Sequence, residues 1–447
     1  MSFWTIRYRA RGARIGKTLM FASAVFSLVL SVAYVLLSLG VAHSISGQGG
    51  FGSNIYYFMI STPQVPLYIF SGVLESILWG SVPERASFGF GIFEISKVII
   101  GAVAVAIYHL SLTGAILAII GAQITQVITI LLMTRMEYKD NISIAIISKM
   151  VRTGWLAILN QLHPLVVNLD FLIVAVLTGS TLPLALYGAA FTYGSIITYS
   201  GWIAYGLYAG ILAGVDPKKS TNQVLELQYL FIVPMVIGEI ILSYDLLRLL
   251  KVSYTNGVPI PYTEATPILI ILSIASAFSA MSLTFDNIIT ATDTTDATNR
   301  TDFSLYLKSR LFLVAKINLI LSAAYLVTIT IISNTYSSGP PTILGLHRYT
   351  FIGILWALAA FGMWGLGVAI KFRYVRQITK LTIPARTVMA ILAGSVGYSL
   401  TLSLLSKIIH IQGGEVMQAL YILLIGGISL AVYAGIVLAI SDKMRAL

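Results

Sequence analysis

The sequence predicts an all-α fold, a polytopic transmembrane helix bundle of about 12 spans. Three observations lead there. Hydrophobic residues make up 57% of the chain and charged residues only 10%, whereas soluble domains carry about 25% charged residues. The apolar residues fall in blocks of the roughly 20 residues that cross a bilayer. Lys and Arg gather on alternate connections between those blocks, the mark of cytoplasmic loops. Mean hydropathy is +0.89.

Taken in order, Met1 to Lys17 is short and basic, with Arg7, Arg9, Arg11, Arg14 and Lys17. It reads as a topology anchor at the cytoplasmic face. It is not a signal peptide, because the apolar run that follows is too long for an h-region and no cleavage site is clear. Apolar spans are expected at 18–41, 54–80, 89–110, 112–134, 150–178, 183–213, 226–250, 264–290, 311–333, 349–371, 385–406 and 415–441. Tight junctions at Ser111 and at Gly179 to Leu182 join neighbours into hairpins.

With both termini inside, the outer segments hold only Arg248, Lys251, Arg348 and Lys407. Lys97 and Lys316 lie within spans, and the rest of the 28 basic residues are cytoplasmic. The net charge of +11 is explained by that asymmetry, and nucleic acid is not an expected partner. The chain has no cysteine, which excludes thiol chemistry and cysteine metal sites. Outer loops are short, and 42–53 and 334–348 carry no carboxylate. An enzyme needing metal or acid–base groups there is not supported. The sequons at Asn141 and Asn299 fall on the cytoplasmic side. Loop 291–310, rich in Thr and Asp, reads as a flexible cytoplasmic connection.

The span 150–178 draws attention because it carries Asn160, Gln161, His163, Asn168 and Asp170. Polar groups are costly in lipid and normally face a bundle interior. The amides read as interhelical glue. Asp170 needs a proton, a cation or a basic partner. Pro164 removes a backbone donor and predicts a kink. Glu75, Glu239 and Asp286 are further intramembrane carboxylates, with Asp286 expected to be solvated near the cytoplasmic end. Tyr187, Tyr193, Tyr199, Tyr205 and Tyr208 recur without tracing one helix face.

The run GVLESILWGSVPERASFGFGIFEISKVIIGAVAVAIYHLSLTGAILAIIGAQITQ (72–126) resembles part of one lobe of the polysaccharide and lipid-linked-oligosaccharide flippases. These belong to the multidrug/oligosaccharidyl-lipid/polysaccharide exporter superfamily. A cytoplasmic turn with a basic residue, here Arg85, precedes a helix and then an LxGAxxA-like hairpin. The second half is similar too, with Leu169-Asp170, then LALYGAAFTYGSIITYSGWIAYGLYAGI, YLFIVPMVIGEIILSYDLLRLL and YTEATPILIILSIASAFSAMSLTFDNIITATDTTD in family order.

Family lobes usually hold six helices. Here four precede the linker and eight follow, and the opening RYRARGARIGKTLMFASA resembles the family's loop into its third helix. The resemblance therefore implies a shortened first lobe at 1–134, lacking two helices. A cytoplasmic linker at 135–149 follows, containing a short interfacial helix, then a second lobe at 150–378 and two additional helices at 379–447. A sequence beginning upstream, a reduced member, or a partner supplying the missing helices would account for the difference.

The resemblance implies a flippase working by alternating access on a lipid-linked oligosaccharide or polysaccharide precursor, with membrane lipid around it. A diphosphate headgroup needs cations, and Lys97, Arg152 and Lys316 are the substrate-binding candidates. Lys97 also stands three positions after Glu94 and is placed to pair with it. Some related flippases are sodium- or proton-driven, with a site in the second lobe. Asp170 sits at the matching helix. Asn318 and Ser322, four apart on one face, would complete a hard-oxygen site. No other cofactor is expected. The alternatives are a non-transporting membrane scaffold or subunit, and a cation-coupled small-molecule antiporter of the same superfamily.

Overall fold

A computed structural model of the chain describes residues 2–45, 55–134, 141–250, 252–255, 258–297, 302–382, 384–408 and 414–441. Expectations at Arg135, Lys139, Lys251, Asn299, Arg300, Lys443 and Arg445, and at most of loop 42–53, lie outside the described residues. The chain divides into two units. The first is Met1–Ala157 with Leu212–Val215 and Asn299–Thr301. The second is Ile158–Ile211, Asp216–Thr298 and Asp302–Leu447.

The first unit opens with α1 (Ser2–Ala10) and α2 (Gly16–Ile45), then α3 (Ile55–Ser61), α4 (Gln64–Ser81), α5 (Pro83–Gly101), α6 (Ser111–Thr134) and α7 (Ile144–Arg152). The basic opening is more than a surface anchor. Trp4, Ile6 and Arg7 are buried, and α1 lies so close to α4 that a Cβ on Gly80 would stand 2.7 Å from Arg9 Cβ. The predicted span 54–80 is interrupted between Ser61 and Gln64, where Pro63 leads into α4. A π-helical turn, Ala102–Ile107, extends α5. Positive φ at His109 and Ser111 then reverses the chain into α6, as the expected hairpin requires. At α7, Ser143 caps by accepting from Ile146 N. Thr18 Oγ1 accepts from Ser143 N at 3.0 Å, tying the start of α7 to α2.

The helix α8 (Gly154–Val167) runs from the first unit into the second. The second continues with α9 (Leu169–Thr178), α10 (Leu182–Gly194), a 3-10 stretch Ser195–Trp202, α11 (Ile203–Leu212) and α12 (Pro217–Arg248). After these come α13 (Thr266–Ala291), the short α14 (Phe303–Leu307), α15 (Arg310–Tyr336), α16 (Arg348–Ile378), α17 (Ala385–Ile408) and α18 (Glu415–Ile440). Two hairpins, β1 (Val252–Thr255) with β2 (Val258–Pro261) and β3 (Thr342–Ile343) with β4 (Leu346–His347), bridge helix ends.

Pro164 acts as its chemistry demands: it gives no hydrogen bond back to Asn160, and α8 yields to α9 at Asn168. Gly179, at φ +59°, ends α9 in the left-handed conformation that glycine takes without a steric cost. The 3-10 stretch interrupts the predicted span 183–213. Gly201 lets it press on α13, since a Cβ there would lie 3.2 Å from Ala280 backbone.

Among the described residues, ten helices are long and apolar enough to cross a membrane. The chain is a multi-pass membrane protein, and the remaining two predicted spans are the interrupted ones. The core of the second unit gathers Val174, Leu186, Tyr187, Leu269, Leu272, Tyr325, Ile329 and Trp356 from α9, α10, α13, α15 and α16. The α17–α18 pair packs on α12, where the Tyr433 hydroxyl donates to Leu230 O at 3.0 Å. The loop expected to be flexible is anchored at its end: Asp293 Oδ2 accepts from the first amides of α15, Arg310 N at 2.6 Å and Leu311 N at 3.3 Å.

Candidate functional site

The helix α15 organises the polar interior of the second unit. Asn318, Ser322 and Tyr325 stand at i, i+4 and i+7, so they share one face and span about 10 Å of axis at about 1.5 Å per residue. Each meets a different group.

Tyr325 meets Asp170, the span's carboxylate, which is only 3% exposed. The Tyr325 hydroxyl donates to Asp170 Oδ2. Trp356 Nε1 shares its proton between Asp170 Oδ2 at 3.0 Å and Tyr325 Oη at 2.7 Å. Phe171 N donates to Oδ1 at 2.7 Å. Around this carboxylate stand Tyr187, stacked on Trp356 with centroids 3.8 Å apart, and Phe171, edge-on to both. Among the described residues the side-chain oxygens of Asp170 meet three hydrogen-bond donors, the set that suits a bare carboxylate.

Ser322 meets His163 from α8 in a short hydrogen bond. Ser322 Oγ donates to Asn318 O at 2.8 Å, so His163 Nδ1 is assigned as the donor of the pair. The His163 ring lies edge-on to Trp364, at 5.3 Å.

Asn318 meets an ion pair. Its Nδ2 donates to Asp286 Oδ2 at 3.2 Å. Lys371, only 1% exposed, donates from Nζ to the same oxygen at 2.8 Å and to Ser282 Oγ at 2.6 Å. Asp286 is therefore paired rather than solvated.

The oxygen site anticipated at Asp170, Asn318 and Ser322 is thus divided among three contacts. Asp170 is filled by donors, Asn318 presents its amide nitrogen, and Ser322 is taken by His163. Of the expected phosphate-binding residues, Lys97 and Arg152 lie in the first unit and Lys316 in the second. Lys97 is half-buried on α5, pairs with Glu94 Oε2, and sits 5.1 Å from the centroid of Phe93. Arg152 and Lys316 are exposed. The other intramembrane carboxylates each have an amide or hydroxyl donor. Gln126 Nε2 donates to Glu75 Oε1 at 2.6 Å, and Ser273 Oγ to Glu239 Oε2 at 2.7 Å. The described residues hold no cluster of His and carboxylates fit for a metal ion.

Sequence reasoning missed Lys371, Tyr325 and Trp356. Tyr325 had a signal, as the third polar position on the face of Asn318 and Ser322. By sequence Lys371 ends the predicted span 349–371 on the cytoplasmic side, but α16 runs on to Ile378 and Lys371 is buried within it.

No protein-family model matches the sequence, and no curated protein does either. Solved structures do match in fold. One described as MATE in the straight conformation aligns at TM-score 0.57 and 14% identity, covering 84% of each chain. An outward-facing multidrug resistance MATE family transporter of the MOP superfamily aligns at 0.56 and 14%, again over 84% of each. The lipid II flippase MurJ, inward closed, aligns at only 0.47, with 16% identity over 97% of this chain and 86% of that one. At that score the likeness carries no weight.

The chain has the fold of these MATE structures, an all-α membrane-helix bundle and no barrel.

Proposed function

We propose that the chain moves a lipid-linked oligosaccharide or polysaccharide precursor across the cytoplasmic membrane by alternating access, without catalysing a reaction. The observation that carries transport is the buried polar face of α15, which ties Asp170, His163 and the Asp286–Lys371 pair together inside an apolar bundle. Ionisable groups placed there mark ion or substrate pathways by default, and the MATE-like fold agrees. The lipid-linked substrate rests on the resemblance of 72–126 and on exposed Arg152 and Lys316, which suit a diphosphate. The charge asymmetry supports cytoplasmic termini.

A second reading is a cation-coupled small-molecule antiporter, favoured by the multidrug description of one fold neighbour. Purified protein in liposomes separates the two. The flippase reading expects a fluorescent lipid-diphosphate sugar to become protected from an external quencher. The antiporter reading expects accumulation of a fluorescent organic cation instead. Movement of neither, in vesicles that hold an ion gradient, removes both.

A further inference from the structure

The second unit already contains a cation of its own. Ser282 and Asp286 are four apart on α13 and so lie on one face. Lys371 reaches across from α16 and places its ammonium between their oxygens, at 2.6 and 2.8 Å. Asn318, from α15, adds its amide to Asp286 Oδ2. Three helices thus converge on one carboxylate oxygen. The other oxygen, Asp286 Oδ1, is buried and accepts no hydrogen bond among the described residues.

A buried ion pair is weak support for stability, because an apolar pair of similar volume holds helices as well without desolvating two charges. Its persistence inside a membrane bundle points to work. That work is not the binding of a metal cation beside Lys371. An alkali ion needs several oxygen lone pairs turned toward it. Here the ammonium and the Asn318 amide occupy Asp286 Oδ2, and the ammonium also holds Ser282 Oγ. That leaves Oδ1 as the one carboxylate oxygen open, too few for an alkali ion. The donors on Asp170 take up both oxygens of that carboxylate.

We infer that Lys371 is a built-in counter-ion standing where a coupling metal cation would sit, and that the ion exchanged at this site is a proton, taken up on Asp286 Oδ1. The inference rests on the transport reading and names its driving ion. The step is a simple protonation. The carboxylate gains one proton at Oδ1 and becomes a carboxylic acid. Lys371 keeps its three protons, and the pair passes from neutral to a charge of +1. Lys371 then keeps its bond to Ser282 but loses the ionic attraction to Asp286, so α16 is held less firmly to α13.

The charged and titratable groups around the pair come from several elements. His163, from α8, lies within electrostatic reach of Lys371. From α12, Glu226 is buried, and Glu239 is engaged by Ser273 about 20 Å along α13, at about 1.5 Å per residue. Lys316 and Arg373 are exposed, and α10 and the 3-10 stretch bring only tyrosines.

The test uses the full chain in detergent and in liposomes. In detergent, the melting temperature of the wild type is compared in sodium chloride and in choline chloride. The two are expected to agree, and a sodium-specific rise in the wild type overturns the inference. Lys371→Ala frees the oxygens and is expected to acquire a sodium-specific rise. Lys371→Gln, which keeps a donor for Ser282, serves if the alanine variant does not fold. A variant that folds and gains no sodium response counts against the counter-ion. By infrared difference spectroscopy, acidification of the wild type is expected to raise a carboxylic acid band that Asp286→Asn lacks. An identical band in both overturns the protonation. In liposomes, a pH gradient is expected to drive transport and a sodium gradient is not. Failure of every transport arm would sink the transport reading while the melting and infrared arms still decide the site.

Discussion

Removing the Tyr325 hydroxyl offers a direct measure of how much the Asp170 cluster depends on charge. Tyr325→Phe keeps the ring in place between α9 and α16 and deletes one of three donors to Asp170. Hydrogen bonds to an ionised acceptor contribute about 1.5–3 kcal/mol. Ordinary interhelical hydrogen bonds in membranes contribute about 0.6 kcal/mol. Because only donors face Asp170, the first figure applies, and Tyr325→Phe should cost about 1.5–3 kcal/mol. In an Asp170→Asn background the acceptor is neutral, and the same change should cost about 0.6 kcal/mol. The difference isolates the share owed to charge, as a double-mutant cycle does. Reversible unfolding in mixed micelles, followed by tryptophan fluorescence, reads all four proteins. Equal costs in the two backgrounds would refute the carboxylate reading and reduce the cluster to packing.

Three further outcomes are expected. Lys371→Met alone leaves Asp286 buried and unpaired and should destabilise by about 3–5 kcal/mol, whereas Lys371→Met with Asp286→Leu should recover most of that loss; the same unfolding titration checks it. Lys97→Ala breaks only a partly exposed pair with Glu94 and should change stability by less than about 1 kcal/mol. Under the flippase reading it should raise the KM for a lipid-diphosphate sugar. Gly179→Ala forces a side chain into φ +59° and should cost about 1–2 kcal/mol in the same assay.

Most of the membrane architecture was legible from the chain because hydropathy reports directly on burial in lipid. Segment 150–178 reads as a polar span with a kink at Pro164; in the structure α8 gives way to α9 at Asn168, four residues past the proline. The two predicted spans that are not among the ten membrane-length helices, 54–80 and 183–213, are interrupted for local reasons. Pro63 interrupts 54–80, and glycines at 194 and 201 let the chain tighten against α13 in 183–213. The site was only half legible. An Asp in an apolar span announces itself, but its partners Tyr325 and Trp356 lie 155 and 186 positions away, a distance at which one sequence carries no pairing signal. Lys371 misled because KFRYVRQI looks like a cytoplasmic loop, while α16 continues through it and buries the lysine against α13. The oxygen site expected at Asp170, Asn318 and Ser322 followed from sharing a face. Helix spacing gives the face and not what each side chain meets across it.

The measurement closest to the heart of the account is gradient-driven transport by reconstituted wild type and Asp170→Asn, compared after both are shown to unfold cooperatively. Polar groups that serve a route for hydrophilic cargo predict that the wild type carries a lipid-diphosphate sugar under an ion gradient and the asparagine variant does not. Equal rates in the two proteins would mean that Asp170 merely joins helices.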